Sequence, residues 1–374
     1  MNYRFDQIAV NSTAKKTPTE SDKEHYIGLE HIDSECLEIT RWGSDVAPIG
    51  EKLIMKKGDV LFGKRRAYQR KLAIAPFDGI FSAHGMVLRP NEKVVDKNYF
   101  PFFMSSDLFM ERAVQISVGG LSPTINWKDL REQEFPLPPL AEQKVLADKL
   151  WAAYRLKESY MKLLAATEEM VKSQFIEMFG SVDDNPKSYD IKKVGDFAEC
   201  FAGATPSTKI SSYWDNGNIP WMSSGEVHKV RVQDTDAKIT QQGYDGCSTK
   251  MVPIHSIVIA LAGQGKTRGT VAINDIELCT NQSLCAIVPN EVVNYEYLFH
   301  NLRGRYKELR SMSGDVDGRG GLNLKHIQSI KVIVPPMSEQ LKFVSIAQQA
   351  DKSGFELRKS IDAIDAVIKS LINS

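Results

Sequence analysis

Two short segments carry the side chains best suited to act on a ligand. The first is Gly63-Lys64-Arg65-Arg66-Ala67-Tyr68-Gln69-Arg70-Lys71. Between residues 52 and 71, eight Lys and Arg face a single acid, Asp59. Clustered cations neutralise phosphates, an Arg fork matches the edge of guanine, and a Gln amide matches adenine. Lys64, Arg65, Arg66, Tyr68, Gln69, Arg70 and Lys71 are therefore candidate contacts to double-stranded DNA. The second segment, Gly263-Gln264-Gly265-Lys266-Thr267-Arg268-Gly269, adds Gln264, Lys266, Thr267 and Arg268, and the later Gly-rich run adds Arg319. Either loop alone could be a solvated hairpin. A basic loop recurring after a corresponding strand weighs towards nucleic acid.

The chemistry that competes with this reading fails on spacing. Gly265-Lys266-Thr267 resembles the end of a phosphate-binding loop, but the Gly that motif needs five residues earlier is Ala260. The next residues, Arg268-Gly269-Thr270-Val271, read as a turn into a strand, whereas a phosphate loop opens a helix. No HExxH or GxSxG is present, the seven His are scattered, and the five Cys form no CxxC pair. Both Pro-Pro pairs lack the flanking Asn or Asp and aromatic residue of a DNA-amine methyltransferase. The expectation is a chain without metal, cofactor or catalytic centre of its own. Its thiols read as reduced and its location as cytoplasmic, with no membrane span and no secretory leader. Net charge is zero, so any nucleic-acid site must be local rather than a global field.

The elements that must position these loops come in duplicate. Ile125-Asn126-Trp127-Lys128 is answered by Leu322-Asn323-Leu324-Lys325, and Phe135-Pro136-Leu137-Pro138-Pro139-Leu140-Ala141-Glu142-Gln143 by Val332-Ile333-Val334-Pro335-Pro336-Met337-Ser338-Glu339-Gln340. The offset is 197 residues from Asn126 to Asn323 and again from Gln143 to Gln340. Asn126 and Asn323 read as N-caps of short helices, and each Pro-Pro pair as a stiff extended exit before a new helix. Strands are expected at Val60-Leu61-Phe62, Met86-Val87-Leu88, Ile257-Val258-Ile259-Ala260 and Leu284-Cys285-Ala286-Ile287-Val288. Helices are expected over residues 97–113 and 294–310.

After each Glu-Gln the chain has no Pro for more than thirty residues. In the second copy, Phe343, Ala347, Ala350, Gly354, Leu357, Ile361, Ile364, Ile368 and Leu371 step by alternating fours and threes, a heptad seam. The matching first-copy positions include Leu146, Leu150, Lys157, Tyr160, Leu164 and Val171. A helix of ~34 residues is ~50 Å long, or roughly 15 base pairs of duplex at ~3.4 Å each. Paired antiparallel, two such helices would hold two half-site readers a fixed distance apart. The fold expected is α+β: two globular domains in tandem repeat, separated by two long antiparallel coiled-coil helices. Domains are expected at 1–140 and 180–336, and spacer helices at 141–179 and 337–374.

Over essentially its whole length the chain resembles the specificity subunits of type I restriction-modification systems. The resemblance rests on Gly203-Ala204-Thr205-Pro206-Ser207, Tyr213-Trp214 and Ile219-Pro220-Trp221-Met222-Ser223-Ser224-Gly225-Glu226 in the second half. In the first it rests on Tyr26-Ile27-Gly28-Leu29-Glu30-His31-Ile32 and Gly58-Asp59-Val60-Leu61-Phe62-Gly63-Lys64-Arg65-Arg66, and in both on the Pro-Pro-x-x-Glu-Gln helix openings. It implies two target recognition domains, each reading one half of a bipartite site. It also implies helices that set the gap and dock two methyltransferase subunits, with restriction subunits joining for cleavage. The first copy departs from the pattern by carrying Lys15-Lys16-Thr17-Pro18 where a Gly-Gly-Thr-Pro type of opening is usual. Glu142, Gln143, Leu146, Leu150, Tyr160, Leu164, Val171, Glu339, Gln340, Phe343, Leu357, Ile361, Ile364 and Ile368 are the candidate docking and helix-pairing residues. The competing reading is a coiled-coil adaptor that binds proteins without DNA specificity.

Overall fold

The apolar runs become the same hairpin in both halves of the chain. In the first, Val60–Phe62 pairs antiparallel with Leu72–Ile74 and with Met86–Pro90, which in turn pairs with Ala9–Ser12. In the second, Ile257–Ala260 pairs with Val271–Asn274 and Leu284–Pro289, and Ala198–Ala202 closes the same order. There a short parallel strand, Arg231–Val232, adds one more edge. The structure, a computed structural model, describes residues 1–263, 265–313 and 321–373. It divides into two units, Met1–Lys162 with Leu357–Ser374, and Leu163–Glu356.

Continuous apolar strands imply burial on both faces, and the packing realises this. Ile257, Ile259, Val271, Ile273, Cys285 and Ile287 face a helical core. Their neighbours Val258, Ala260, Ala272, Leu284 and Ala286 face a second cluster on the other side. In the first unit, Val60, Phe62, Leu72 and Leu88 face the helices. Leu61, Ala73 and Val87 face Ile27, Leu53 and Phe81 of a second four-stranded sheet. Each unit is thus α+β, with helices on one face of a sheet that is antiparallel in the first unit and mixed in the second. An N-terminal strand tied to the strand before the long helix (Asn2–Arg4 with Glu134–Pro136, Asp190–Lys193 with Lys331–Val334) closes each one.

The helix expected over residues 97–113 is two, Phe100–Ser105 and Asp107–Gln115. Ser106 is extended (φ −61°, ψ 152°) and its hydroxyl caps the second helix by accepting from the Phe109 N–H. The 294–310 stretch likewise divides into Tyr295–Gly304 and Tyr306–Ser311.

The two long helices run Leu140–Phe179 and Met337–Ile372, 40 and 36 residues. The first ends at Gly180 (φ +75°), whose N–H bonds back to the Ile176 carbonyl, a left-handed stop that suits glycine. In the first unit, Ala147, Leu150 and Tyr154 join the core, and Ile368, Leu371 and Ile372 of the second long helix pack against it. Lys157, the charged residue in the heptad seam, meets Asp365 at 2.6 Å there. In the second unit, Val171, Phe175 and Phe179 share a core with Phe343, Ala347 and Ala350.

Gln143 and Gln340, expected on a docking surface, are buried instead. The Gln143 carbonyl accepts from Asp96 N–H at 2.8 Å, and its amide donates to the carbonyls of Val94 and Pro138. Gln340 repeats the arrangement with Asn294 N–H and the carbonyls of Val292 and Pro335. Each glutamine pins the start of its long helix to the start of a shorter helix in its own unit, so neither is available to a partner.

Of the remaining docking and pairing candidates, Leu150, Val171 and Phe343 are buried. Leu146, Tyr160, Leu164, Leu357, Ile361, Ile364 and Ile368 are half-buried. Glu142 is exposed, and Glu339 is half-buried and paired with Lys342. The apolar side chains these helices leave to solvent are others, among them Leu156, Met161, Met170, Ile176 and Phe355.

Candidate nucleic-acid interface

Both basic segments are tips of the same hairpin, the connection between Val60–Phe62 and Leu72–Ile74 and that between Ile257–Ala260 and Val271–Asn274. The strand after the second tip stands where a phosphate-binding loop requires a helix, which sets the nucleotide reading aside. In the first tip, Gly63 N–H bonds the Lys71 carbonyl at 2.9 Å; in the second, Ala260 N–H bonds the Thr270 carbonyl at 3.0 Å. A Gly-rich segment is stitched to each hairpin by an equivalent bond, Ile125 N–H to the Lys64 carbonyl and Leu322 N–H to the Leu261 carbonyl. Both partners of the second bond lie 197 residues after those of the first.

The first tip sorts its cations into two kinds. Arg65 and Arg66 are exposed. Arg66 sits in the left-handed region (φ 58°), as does Arg70 (φ 50°), flanking one turn of 3₁₀ helix over Ala67–Gln69. Such backbone is uncommon for residues other than glycine. It is held by the bond from Arg66 N–H to the Pro123 carbonyl at 2.7 Å. Among the described residues the Arg66 guanidinium bonds the Ser122 hydroxyl, at 3.2 Å. Tyr68 is exposed, and Gln69, on the same turn, is half-buried.

The other cations serve the fold. Arg70 is fixed by Asp107 (2.9 Å), the Ser105 carbonyl (2.8 Å) and Glu35 (3.1 Å), and Lys71 by the Leu29 carbonyl. Lys64 is half-buried; desolvation, and then the nearby Lys15, lower its ammonium pKa. Of the seven candidates here, Arg65, Arg66 and Tyr68 are exposed, and Lys64 and Gln69 are half-buried.

The second tip carries less charge at its surface. Lys266 is exposed, and Thr267 lies 3.2 Å from His228 Nε2. Arg268 is 2% exposed, so this candidate lies inside the unit rather than on its surface. Arg310 clamps the tip by donating to the Gly265 carbonyl. Gln264 and Arg319 lie outside the described residues. Among the described residues, no cluster of three or more His, Cys, Asp or Glu is placed to hold a metal ion.

The sequence marks a Gly-rich loop at Gly119-Gly120, after the helical stretch 97–113, but not that the segment 118–124 meets the basic tip. The ends of that segment pair through Val118 and Thr124 (2.9 and 3.1 Å), and Thr124 forms a further bridge with Arg65. That meeting is a matter of tertiary structure.

Comparison with known proteins bears on both halves. The family model described as type I restriction modification DNA specificity domain matches residues 10–164 and 186–364. The specificity subunit of the type I restriction enzyme EcoR124I/EcoR124II of Escherichia coli is 27% identical over 163 residues, 43% of this chain and 40% of that relative. The chain thus spans under half the length of that relative. The putative MjaX specificity subunit of Methanocaldococcus jannaschii is 24% identical over 381 residues, covering 92% of this chain and 84% of its own. A crystal structure of the S subunit of a type I restriction-modification system from M. genitalium shares the fold, with a TM-score of 0.61 at 14% identity over 100% of this chain and 94% of that one. With the hairpin, the Gly-rich stitch and the buried glutamine each found twice, and the family model matching twice, the chain belongs to the type I restriction modification DNA specificity domain family and carries two copies of that domain.

Proposed function

We propose that this chain reads a bipartite DNA sequence, one half-site per domain, as the recognition subunit of a type I restriction-modification enzyme in the cytoplasm. The observation that carries the reading is the repeated pair of loops: a hairpin tip bonded to a Gly-rich segment by equivalent backbone hydrogen bonds in both copies. In the first copy that pair presents Arg65 and Arg66 without an acidic partner among the described residues. Cations left unpaired on a rigid tip are what phosphate and base-edge recognition requires. The reader domains would be residues 1–140 and 180–336, joined by spacer helices at 141–179 and 337–374.

The long helices act as an antiparallel pair that sets the gap between half-sites. Supporting this, Lys157 meets Asp365 within the first unit, whereas Phe175 meets Phe343 within the second. Positions therefore rise along one helix as they fall along the other. The exposed Leu156, Met161, Met170 and Phe355 offer apolar surface to two methyltransferase subunits, with restriction subunits joining for cleavage. The chain supplies recognition, and catalysis resides in those partners.

Mapping methylated adenines in a host expressing the chain with its cognate methyltransferase tests the reading. A two-part motif with a fixed gap is expected, and a four-residue insertion in the 145–175 helix should lengthen the gap. Absence of any motif, or a gap unchanged by the insertion, would overturn the recognition role or the spacer role respectively. R65Q/R66Q should weaken DNA binding and reduce the salt slope by about two. An unchanged slope would favour a protein-binding adaptor.

A further inference from the structure

Among the exposed large apolar side chains of the described residues, the most exposed is Leu121, at 98%. It sits at the tip of the 118–124 segment, directly after Gly119 (φ +110°) and Gly120, around whose Cα there is open space. The segment is not loose. The Val118–Thr124 pairing ties its two ends, Pro123 accepts from Arg66 N–H, and Ser122 accepts from the Arg66 guanidinium. A leucine is therefore held out in water by a clamped loop, next to the two guanidinium-bearing residues offered to DNA.

Full exposure of a leucine forfeits the free energy its burial would yield, so the position calls for an occupant. A protein interface would need a contiguous apolar patch, whereas the only large apolar side chains the segment exposes are Val118 and Leu121, set apart by Gly119 and Gly120 and flanked by Ser122 and two arginines. Base edges in the major groove offer one apolar feature, the C5-methyl of thymine. We propose that Leu121 reads a thymine in the half-site of the first domain by packing on that methyl group, beside a phosphate or guanine held by Arg65 and Arg66. This rests on the reading of the 64–66 tip as a DNA contact. The two copies differ here in sequence: 197 residues on, the residue matching Leu121 is Gly318, which has no side chain to make this contact.

The test uses the full chain assembled with its methyltransferase, on duplexes carrying the mapped target. Each thymine of the first half-site is replaced in turn by deoxyuridine, which removes only the methyl. Wild-type affinity should fall about fourfold at one position, as expected for about one buried carbon. L121A should bind the unmodified duplex at least fourfold more weakly and be indifferent to that same replacement. Replacements in the other half-site should affect L121A and wild type equally. Thermal unfolding of L121A should match wild type, so a folding defect is not in play.

The proposal is overturned if wild type tolerates every replacement in that half-site, if the half-site contains no thymine, or if L121A stays as methyl-sensitive as wild type. R65Q/R66Q separates the two levels. If it binds weakly while the leucine experiments are flat, only the thymine contact fails. If it binds like wild type, the DNA-contacting tip fails with it.

Discussion

Replacing Gln143 with Ala removes one acceptor and two donor interactions from a site where the side chain is 1% exposed. The Asp96 N–H and the carbonyls of Val94 and Pro138 lose their partner. At about 1 kcal/mol net per hydrogen bond, the loss is about 3 kcal/mol. That is a large share of the roughly 5–15 kcal/mol that holds a domain together. Chemical denaturation of the full chain gives the total. Amide hydrogen exchange gives the location: Asp96 should exchange about a hundredfold faster in Q143A, while Asn294, held by Gln340 in the other copy, should be unmoved. Q340A should show the mirror result, and the two losses should add, since the sites share no partner. Gln143→Glu restores the acceptor for Asp96 but sets a carboxylate against two carbonyl oxygens, so it should be no better than Ala near neutral pH. A loss below about 0.5 kcal/mol in Q143A, or equal exchange at both amides, would refute the view that each glutamine fastens its own helix.

Three further expectations share this logic. Arg70→Ala, which strips Asp107, Glu35 and the Ser105 carbonyl of their common partner, should cost about 2 kcal/mol while leaving the salt slope of DNA binding nearly intact. Arg65→Ala should do the reverse, and denaturation alongside a salt titration separates the two. Gly203→Ala should destabilise strongly, because its Cβ would lie 1.8 Å from the Thr280 carbonyl oxygen, whereas Gly120→Ala meets nothing and should leave the melting temperature unchanged. Burial, reinforced by Arg303 and Arg231, pushes His300 down to about 3. The unfolded chain therefore takes up this proton near pH 6.5 and the native one does not. Stability should fall as pH drops through that window, by up to about 1.4 kcal/mol per unit, and His300→Leu should flatten the pH dependence of denaturation there.

The parts of the architecture legible in the sequence were those written in periodicity and repetition. The runs at 60–62 and 257–260 are apolar at every position, and the buried sheet centre uses them so. The 197-residue offset fixed which loops correspond. The long helices were visible because no Pro interrupts them. What escaped depends on where long polar side chains turn. Arg70, Lys71 and Arg268 look like surface cations in a basic run, yet an acid or a backbone carbonyl elsewhere in the unit draws the first two inward, and the third is buried. Gln143 reads as an ordinary first-turn residue; only the distant Asp96 amide gives it a structural role. Ser106 splits a helix that its neighbours would continue, through a single cap bond.

The make-up of the first unit has a consequence for biosynthesis. Its core is completed by Ile368, Leu371 and Ile372, and Asn373 hydrogen-bonds Asp107 across a separation of 266 residues. A nascent chain leaving the ribosome must therefore wait through the whole of the second unit before the first is sealed. In the interval the apolar surface around Leu72, Phe102 and Tyr154, which line one cavity with Ile368 and Ile372, stays open to water. The later-made half can mature first, and a chain stopped short of residue 357 would carry a finished second reader beside an unfinished first one.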